Sequence, residues 1–205
     1  MIKITFMGAG STVFLRNVLG DCIYTDALKG MEIALYDIDG QRLEQSAAIL
    51  EAINKGNGCP ASIRSYLGAE NRRKALSGAD FVINAIQVGG YDPCTITDFE
   101  IPRKYGLRQT IGDTLGIGGI MRALRTIPVL EDFARDMEAV CPNAWFLNYT
   151  NPMSMLTGYM LRYTGVKTLG LCHSVQTCSK TLMDAIGMSD RLEGRRELIA
   201  GINHM

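Results

Sequence analysis

Ile2-Lys3-Ile4-Thr5-Phe6-Met7-Gly8-Ala9-Gly10-Ser11 sets the reading of the rest of the chain. Six residues rich in apolar and β-branched side chains suit a buried strand, and the Gly-x-Gly that follows suits a tight turn opening a helix. Taken alone the turn is ambiguous: Val13 stands where a third small residue would complete a dinucleotide fingerprint, so a plain strand-to-helix turn fits as well. The surrounding pattern adds weight. Glu32 to Tyr36, Phe81 to Ile86, Trp145 to Leu147 and Lys167 to Leu171 read as further buried strands, with Ile63 to Leu67 a possible extra one. Helical stretches lie between them at Ser11 to Ile23, Gly40 to Asn54, Ile117 to Val140, Pro152 to Tyr163 and Val175 to Ile186. Such alternation predicts a doubly wound α/β fold, a mostly parallel sheet covered on both faces, with ligands taken at the carboxyl ends of the strands.

Composition narrows the function classes. The 205 residues are 47% hydrophobic and 20% charged, enough to build a sizeable core. Basic and acidic residues balance at 21 each, which leaves no long-range field to recruit nucleic acid or an anionic membrane. The amino terminus has no secretory pattern, and no apolar run approaches the roughly 18 residues of a membrane span, so a cytoplasmic protein is expected. Six cysteines without CxxC spacing agree with a reducing compartment. No repeat or Ser/Pro-rich linker divides the chain, so residues 1–205 read as one domain. The closing Gly201-Ile202-Asn203-His204-Met205 carries no polar tail, which suggests that a substrate domain begins there.

Three loops at successive strand ends are candidates for a nucleotide site. Gly8, Gly10 and Ser11 would let backbone approach a pyrophosphate at a helix amino terminus. Asp37, 27 residues after Gly10, could accept both ribose hydroxyls and repel a 2′-phosphate, favouring NAD over NADP. Asp39 is an alternative, and either acid could instead cap the next helix. Gln87 and Gly89, after the strand at Phe81, would approach the adenosine side, unless this is an ordinary turn.

The later strand ends offer different chemistry. In Asn148-Tyr149-Thr150-Asn151-Pro152, Asn151 suits a helix N-cap and equally a hydrogen bond to a sugar hydroxyl. The two histidines, His173 and His204, both stand at expected strand ends, and Cys172 precedes the first. A cysteine and a histidine brought together from these loops could hold a divalent metal, although buried core residues fit the same letters. Arg122 and Arg125 follow the glycine-rich Ile111 to Gly116 loop, as part of a closing element or as a solvated helix face.

Together, Gly8-Ala9-Gly10-Ser11-Thr12, the run Gly112 to Thr126, Asn148 to Pro152, Cys172-His173-Ser174-Val175 and Gly201 to His204 resemble glycoside hydrolase family 4. The Cys-His-Ser-Val tetrapeptide looks like the variant of that family's melibiase-type α-galactosidases. The resemblance implies a Rossmann-type NAD-binding domain and an NAD- and Mn²⁺-dependent glycosidase acting on α-galactosides such as melibiose. It implies oxidation at C3 of the sugar, loss of the C2 proton, elimination of the glycosidic oxygen, addition of water at C1 and return of the hydride, in place of the usual two-carboxylate chemistry. By motif, Gly8, Gly10 and Asp37 would hold NAD, Cys172 and His204 the metal, and Asn151 the sugar, with Ser11, Gln87 and Gly89 remaining candidates from their loop positions. His173 would assist leaving-group departure.

Family members are about twice as long, and the C2 base would lie beyond residue 205. The resemblance thus implies a start of the metal and substrate site within 172–205, a homo-oligomer at full length, and a chain that alone binds NAD but turns over little glycoside. The competing readings are a lactate- or malate-type 2-hydroxyacid dehydrogenase and a non-catalytic NAD-binding fragment. The dehydrogenase would need a histidine in a Gly-His-Gly or Gly-His-Asp setting, which neither histidine has.

Overall fold

The computed structural model describes residues 1–172, 174–194, 196, 198, 201, 203 and 204. Its strands are β1 (Lys3–Met7), β2 (Glu32–Asp37), β3 (Ser62–Leu67), β4 (Phe81–Asn84), β5 (Trp145–Asn148) and β6 (Lys167–Gly170). They form one parallel sheet in the order β3-β2-β1-β4-β5-β6. The chain winds outward from β1 in one direction and then from β4 in the other. The carboxyl ends of β1 and β4 therefore flank a crevice at the point where the winding reverses, the place such sheets use for ligands. The expected extra strand is present as the β3 edge, where only Ile63 and Tyr66 are half-buried.

Helices α1 (Thr12–Tyr24) and α2 (Gly40–Gly56) cover one face of the sheet. Leu15, Leu19 and Leu50 pack there on Phe6, Ile33 and Leu35. The other face carries α3 (Arg72–Leu76), α5 (Gly116–Val140) and α6 (Met153–Tyr163). Here Leu76, Leu130, Phe133, Leu156 and Met160 meet Met7, Val82 and Phe146. β1, β2 and β4 are buried on both faces, which explains why they read as continuous apolar runs instead of alternating ones.

Two further helices, α4 (Ile96–Lys104) and α7 (Ser174–Ala185), complete the described elements of this size. The expected ends hold to within one or two residues. The shortening of β4 has a consequence: it stops at Asn84, so Ala85 and Ile86 become the start of the cleft wall.

α3 is fastened to α5 by charge. Arg72 Nε and Arg73 Nε donate to the two carboxylate oxygens of Asp136 at 2.6 and 2.7 Å, and Arg72 also lies over the Phe133 ring. Burial alone would push the Asp136 carboxyl up, but the two guanidinium bonds outweigh it and hold its pKa below the ordinary carboxylate value. A carboxyl depressed in this way stabilises the fold above its unfolded pKa of about 3.9, and that contribution fades as pH falls through the folded value. Asp136→Asn should therefore lower stability at pH 7 by about 2 kcal/mol and flatten its decline below about pH 4. Urea unfolding across pH checks this; parallel stability curves for the two proteins would rule it out.

Candidate functional site at the carboxyl edge of the sheet

The glycine turn after β1 is built into the sheet. The Gly8 and Ala9 N–H groups both donate to Tyr36 O of β2, at 3.0 and 2.9 Å. Gly8 has φ +88, and a Cβ there would lie 2.7 Å from Ala85 O and 2.9 Å from Ile86 N, both backbone. Only glycine fits both the dihedral and the space. The turn is thereby pressed against the end of β4.

Asp37 braces the same turn from β2. Its Oδ2 accepts the Gly10 N–H at 2.5 Å and its Oδ1 accepts the Asp39 N–H at 2.9 Å. Asp39 performs the capping role, accepting the Arg42 N–H of α2 at 3.1 Å. The two acids that the sequence left interchangeable thus have separate tasks. An ionised carboxylate has about four acceptor positions, so Asp37 keeps capacity for further donors beside the glycine turn.

Between the two halves of the sheet lies a cleft of about 250 Å³, lined among others by Ser11, Gln87, Arg122, Tyr149, Thr150 and Asn151. Ser11 precedes the first turn of α1 and makes no side-chain cap bond there. Helix α6 begins at Met153 with Pro152 in the N-cap position, so Asn151 stands one residue before the cap and is a cleft residue instead of the predicted cap. Gln87 Nε2 donates to Thr95 Oγ1 at 3.2 Å, fixing its loop. Gly89 lies outside the lining. Its φ of +86 and the Cys94 side chain packed where a Cβ would go give it a structural reason to be glycine.

Behind the cleft-lining Thr150 lies a buried network to whose members the sequence reading gave no role. Asn84 and Asn148 are opposite one another at the ends of β4 and β5, both fully buried. Asn84 Nδ2 donates to Asn148 Oδ1 at 2.9 Å and to Thr150 Oγ1 at 3.1 Å, and Thr150 Oγ1 donates to Ile86 O at 3.0 Å. Asn84 Oδ1 is buried with no partner among the described residues. The legible signal was an amide closing an otherwise apolar strand, twice: Phe-Val-Ile-Asn and Trp-Phe-Leu-Asn.

The loop before α5 packs on the start of that helix, which contributes Arg122 to the cleft. Gln109 fastens them: its Nε2 donates to Asp98 O at 3.3 Å and its Oε1 accepts the Gly118 N–H at 3.1 Å. A Cβ on Gly118 would collide with Gly112 O, and one on Gly119 with Thr114 O. Arg122 and Arg125 emerge from this helix inward, so neither belongs to a solvated basic face. Arg125 forms a fork with Asp98, and Arg122 lines the cleft.

At the last strand end, Cys172 is half-buried. Burial would raise its thiol pKa, but hydrogen bonds from the Ser174 side chain and N–H, the Asn203 side chain and the Val175 N–H hold it below the usual thiol value. The Asn203 N–H donates to Ser154 Oγ at 3.1 Å, so residues 203 and 204 fold back over the start of α6. His204 takes φ +67, and its Nδ1 is buried with no partner among the described residues. The structure thus brings the Cys172 and His204 loops together through Asn203. Thiolate and imidazole suit a divalent transition metal, and an orphaned imidazole nitrogen fits a missing partner. Two ligands would make only part of such a shell, and among the described residues no group of three or more His, Cys, Asp or Glu is gathered for a metal. His173 lies outside the described residues. No helix among them is long and apolar enough to cross a membrane.

Comparison with known proteins adds the following. Residues 3–188 match the model of the family described as "Family 4 glycosyl hydrolase". An α-galactosidase of Bacillus subtilis (strain 168) is 62% identical over all 205 residues, which are 46% of its own length. Among solved structures, the Bacillus subtilis protein lplD, described as a candidate glucosidase, is 33% identical with a TM-score of 0.80, over 94% of this chain and 42% of that one. A 6-phospho-α-glucosidase from gut microorganisms, solved with NAD and Mn²⁺, gives a TM-score of 0.80 at 19% identity, over 92% of this chain and 42% of that one. At that identity the likeness is one of fold. The chain therefore spans less than half the length of the relatives it matches.

Proposed function

The chain belongs to family 4 of the glycosyl hydrolases, and from that premise we propose that it is the nucleotide-binding portion of an NAD- and Mn²⁺-dependent α-galactosidase. The observation that carries this reading is the meeting of Ser11, Gln87 and Asn151 in one cleft, beside a glycine turn braced by Asp37. In this reading residues 1–205 form one NAD-binding domain, and 172–205 begin the metal and substrate site. The substrate is a small α-galactoside such as melibiose. The six unpaired cysteines agree with a reducing, cytoplasmic setting, and a homo-oligomer is the expected state of the full-length enzyme.

The residues fit the groups assigned to them. Gly8 and Gly10 give the pyrophosphate a close approach to backbone at the amino terminus of α1, beside Ser11. Asp37 accepts from the ribose hydroxyls with the lone pairs that Gly10 and Asp39 leave unused. Gln87 and Gly89 shape the neighbouring loop. Asn151 donates to or accepts from a sugar hydroxyl, one residue beyond Thr150 of the buried Asn84–Asn148–Thr150 network. Cys172 and His204 hold the metal, and His173 assists the leaving group. When bound, NAD supplies a reversible hydride acceptor and the metal supplies polarisation of a sugar oxygen. The base that takes the C2 proton belongs to the part of the enzyme beyond residue 205.

Calorimetric titration of NAD⁺ into the chain tests the cofactor half of the reading. NAD⁺ should bind, Asp37→Ala should weaken it by about tenfold or more, since hydrogen bonds to a charged group are lost, and NADP⁺ should bind poorly. Fusing the chain to the remaining half of the 62%-identical relative tests the chemistry. Hydrolysis of p-nitrophenyl α-galactoside in D₂O should leave deuterium at C2 of the galactose. Product without deuterium would defeat the elimination route, and net NADH formation with lactate or malate would favour the dehydrogenase alternative.

A further inference from the structure

One face of α5 changes character along its length. At about 3.6 residues per turn, Ile117, Ile120, Met121, Leu124 and Pro128 share a side of the helix with Glu131, Asp132, Arg135 and Glu138. The second half is the charged surface of a helix turned to water. The first half is apolar throughout, because the two arginines of that stretch, Arg122 and Arg125, turn inward to Asp113 and Asp98. Ile117, Ile120, Met121 and Leu124 are between 44% and 61% exposed, and Pro128 is exposed beside them. The stripe is about 17 Å long. It presents on the order of 300 Å² of apolar surface, the size at which such a patch marks a contact surface.

We propose that this stripe seats the carboxyl-terminal half of the enzyme, which packs an apolar surface of its own on Ile117, Ile120, Met121 and Leu124. The inference rests on the reading of the chain as the nucleotide-binding portion of a longer family 4 enzyme. More than half of the 62%-identical relative lies outside the match, ample for such a cover. The path of the backbone leads the same way: the Asn203 N–H donates to Ser154 Oγ in the first turn of α6, and α6 packs on α5. Area argues against a second copy as the occupant, since a stable dimer buries about 800 Å² on each partner, well beyond what the stripe offers. A unit carried on the same polypeptide is spared the cost of association, so a smaller contact suffices. The charged half of the face, from Glu131 onward, stays in water.

Met121 reports on the stripe directly, because it is the single methionine of the tryptic peptide Gln109 to Arg122. Its oxidation by hydrogen peroxide is to be followed by mass spectrometry in the 205-residue chain and in its fusion to the remaining half of the 62%-identical relative. Met121 should oxidise about tenfold more slowly in the fusion, whereas Met1, 94% exposed, should react alike in both. Leu124→Glu should return Met121 of the fusion to the fast rate, since a carboxylate cannot be buried there unpaired. In the 205-residue chain the same substitution should leave the melting temperature within about 2 °C and NAD⁺ affinity within about twofold, as for any exposed position. Equal Met121 rates in a fusion that hydrolyses p-nitrophenyl α-galactoside overturn the inference and leave the reading of the enzyme standing. A Met121 that is slow in the 205-residue chain and quickens on dilution also overturns it, by placing a second copy on the stripe. A fusion that neither binds NAD⁺ nor hydrolyses the galactoside removes the reading beneath it, and the inference with it.

Discussion

Gly8→Ala is expected to destabilise the chain by about 3 kcal/mol, combining the cost of a left-handed alanine with that of overpacking. The added methyl would meet Ala85 O at 2.7 Å, and neither that carbonyl nor the neighbouring Ile86 N–H can move aside without opening the end of β4. A domain of this size loses about 2–4 °C of melting temperature per kcal/mol, so a fall of roughly 6–12 °C is predicted. Gly10→Ala is the instructive contrast. Its Cβ would meet the Asp37 Oδ2 side-chain atom at 2.9 Å and Arg42 Cβ at 3.1 Å, and its φ is not in the left-handed region. Side chains can yield where backbone cannot. Gly10→Ala should cost much less stability yet still weaken NAD⁺, because the Asp37 carboxylate has been pushed from its place. Thermal unfolding alongside calorimetry separates the two. Equal loss of stability in both variants would mean that the Gly8 contact with β4 is not what fixes the turn.

The second large effect concerns Asp98, buried on α4 with 5% of its side chain exposed. Asp98→Ala removes the fork that neutralises Arg125 and leaves a mostly buried guanidinium with, among the described residues, only Val88 O as a hydrogen-bond acceptor. Breaking one side of such a pair costs several kcal/mol; allowing for the 24% exposure of Arg125, about 3 kcal/mol is expected. The cost belongs to the stranded charge. Asp98→Leu combined with Arg125→Met should therefore recover most of the stability, since an apolar pair of similar volume replaces both desolvated ions. Denaturant unfolding of the two variants decides it. An Asp98→Ala protein within about 0.5 kcal/mol of the unmutated chain would show the pair to be solvated in practice.

The layered sheet was legible because its central strands are buried on both faces and spell themselves as uninterrupted apolar runs. α3 was not, because it is a single turn of Arg-Arg-Lys-Ala-Leu, too short for a periodic face. α4 was hidden by Pro102, a residue that reads as a stop but here sits in the final turns of the helix. The position of Ser11, Gln87 and Asn151 at the carboxyl edge of the sheet was legible from their place after strands. The division of labour between Asp37 and Asp39 was not, since only the direction of each carboxylate separates a brace from a cap. The same holds for Arg122 and Arg125. They are one residue type on one helix, and what distinguishes them is a carboxylate 27 positions away for one and 9 positions away for the other.

The contact of Gly118 and Gly119 with the backbone of residues 112 and 114 also governs how this region can be inherited or exchanged. Because those carbonyls occupy the space where side chains would otherwise grow, the loop and the helix start are complementary shapes, and neither half specifies the position of Asp113 without the other. A graft between relatives that cuts between residues 115 and 116 would join two surfaces that never shared a mould. Residues 109–119, from the Gln109 fastening to the second glycine, are the smallest cassette that carries the acid and its backing together.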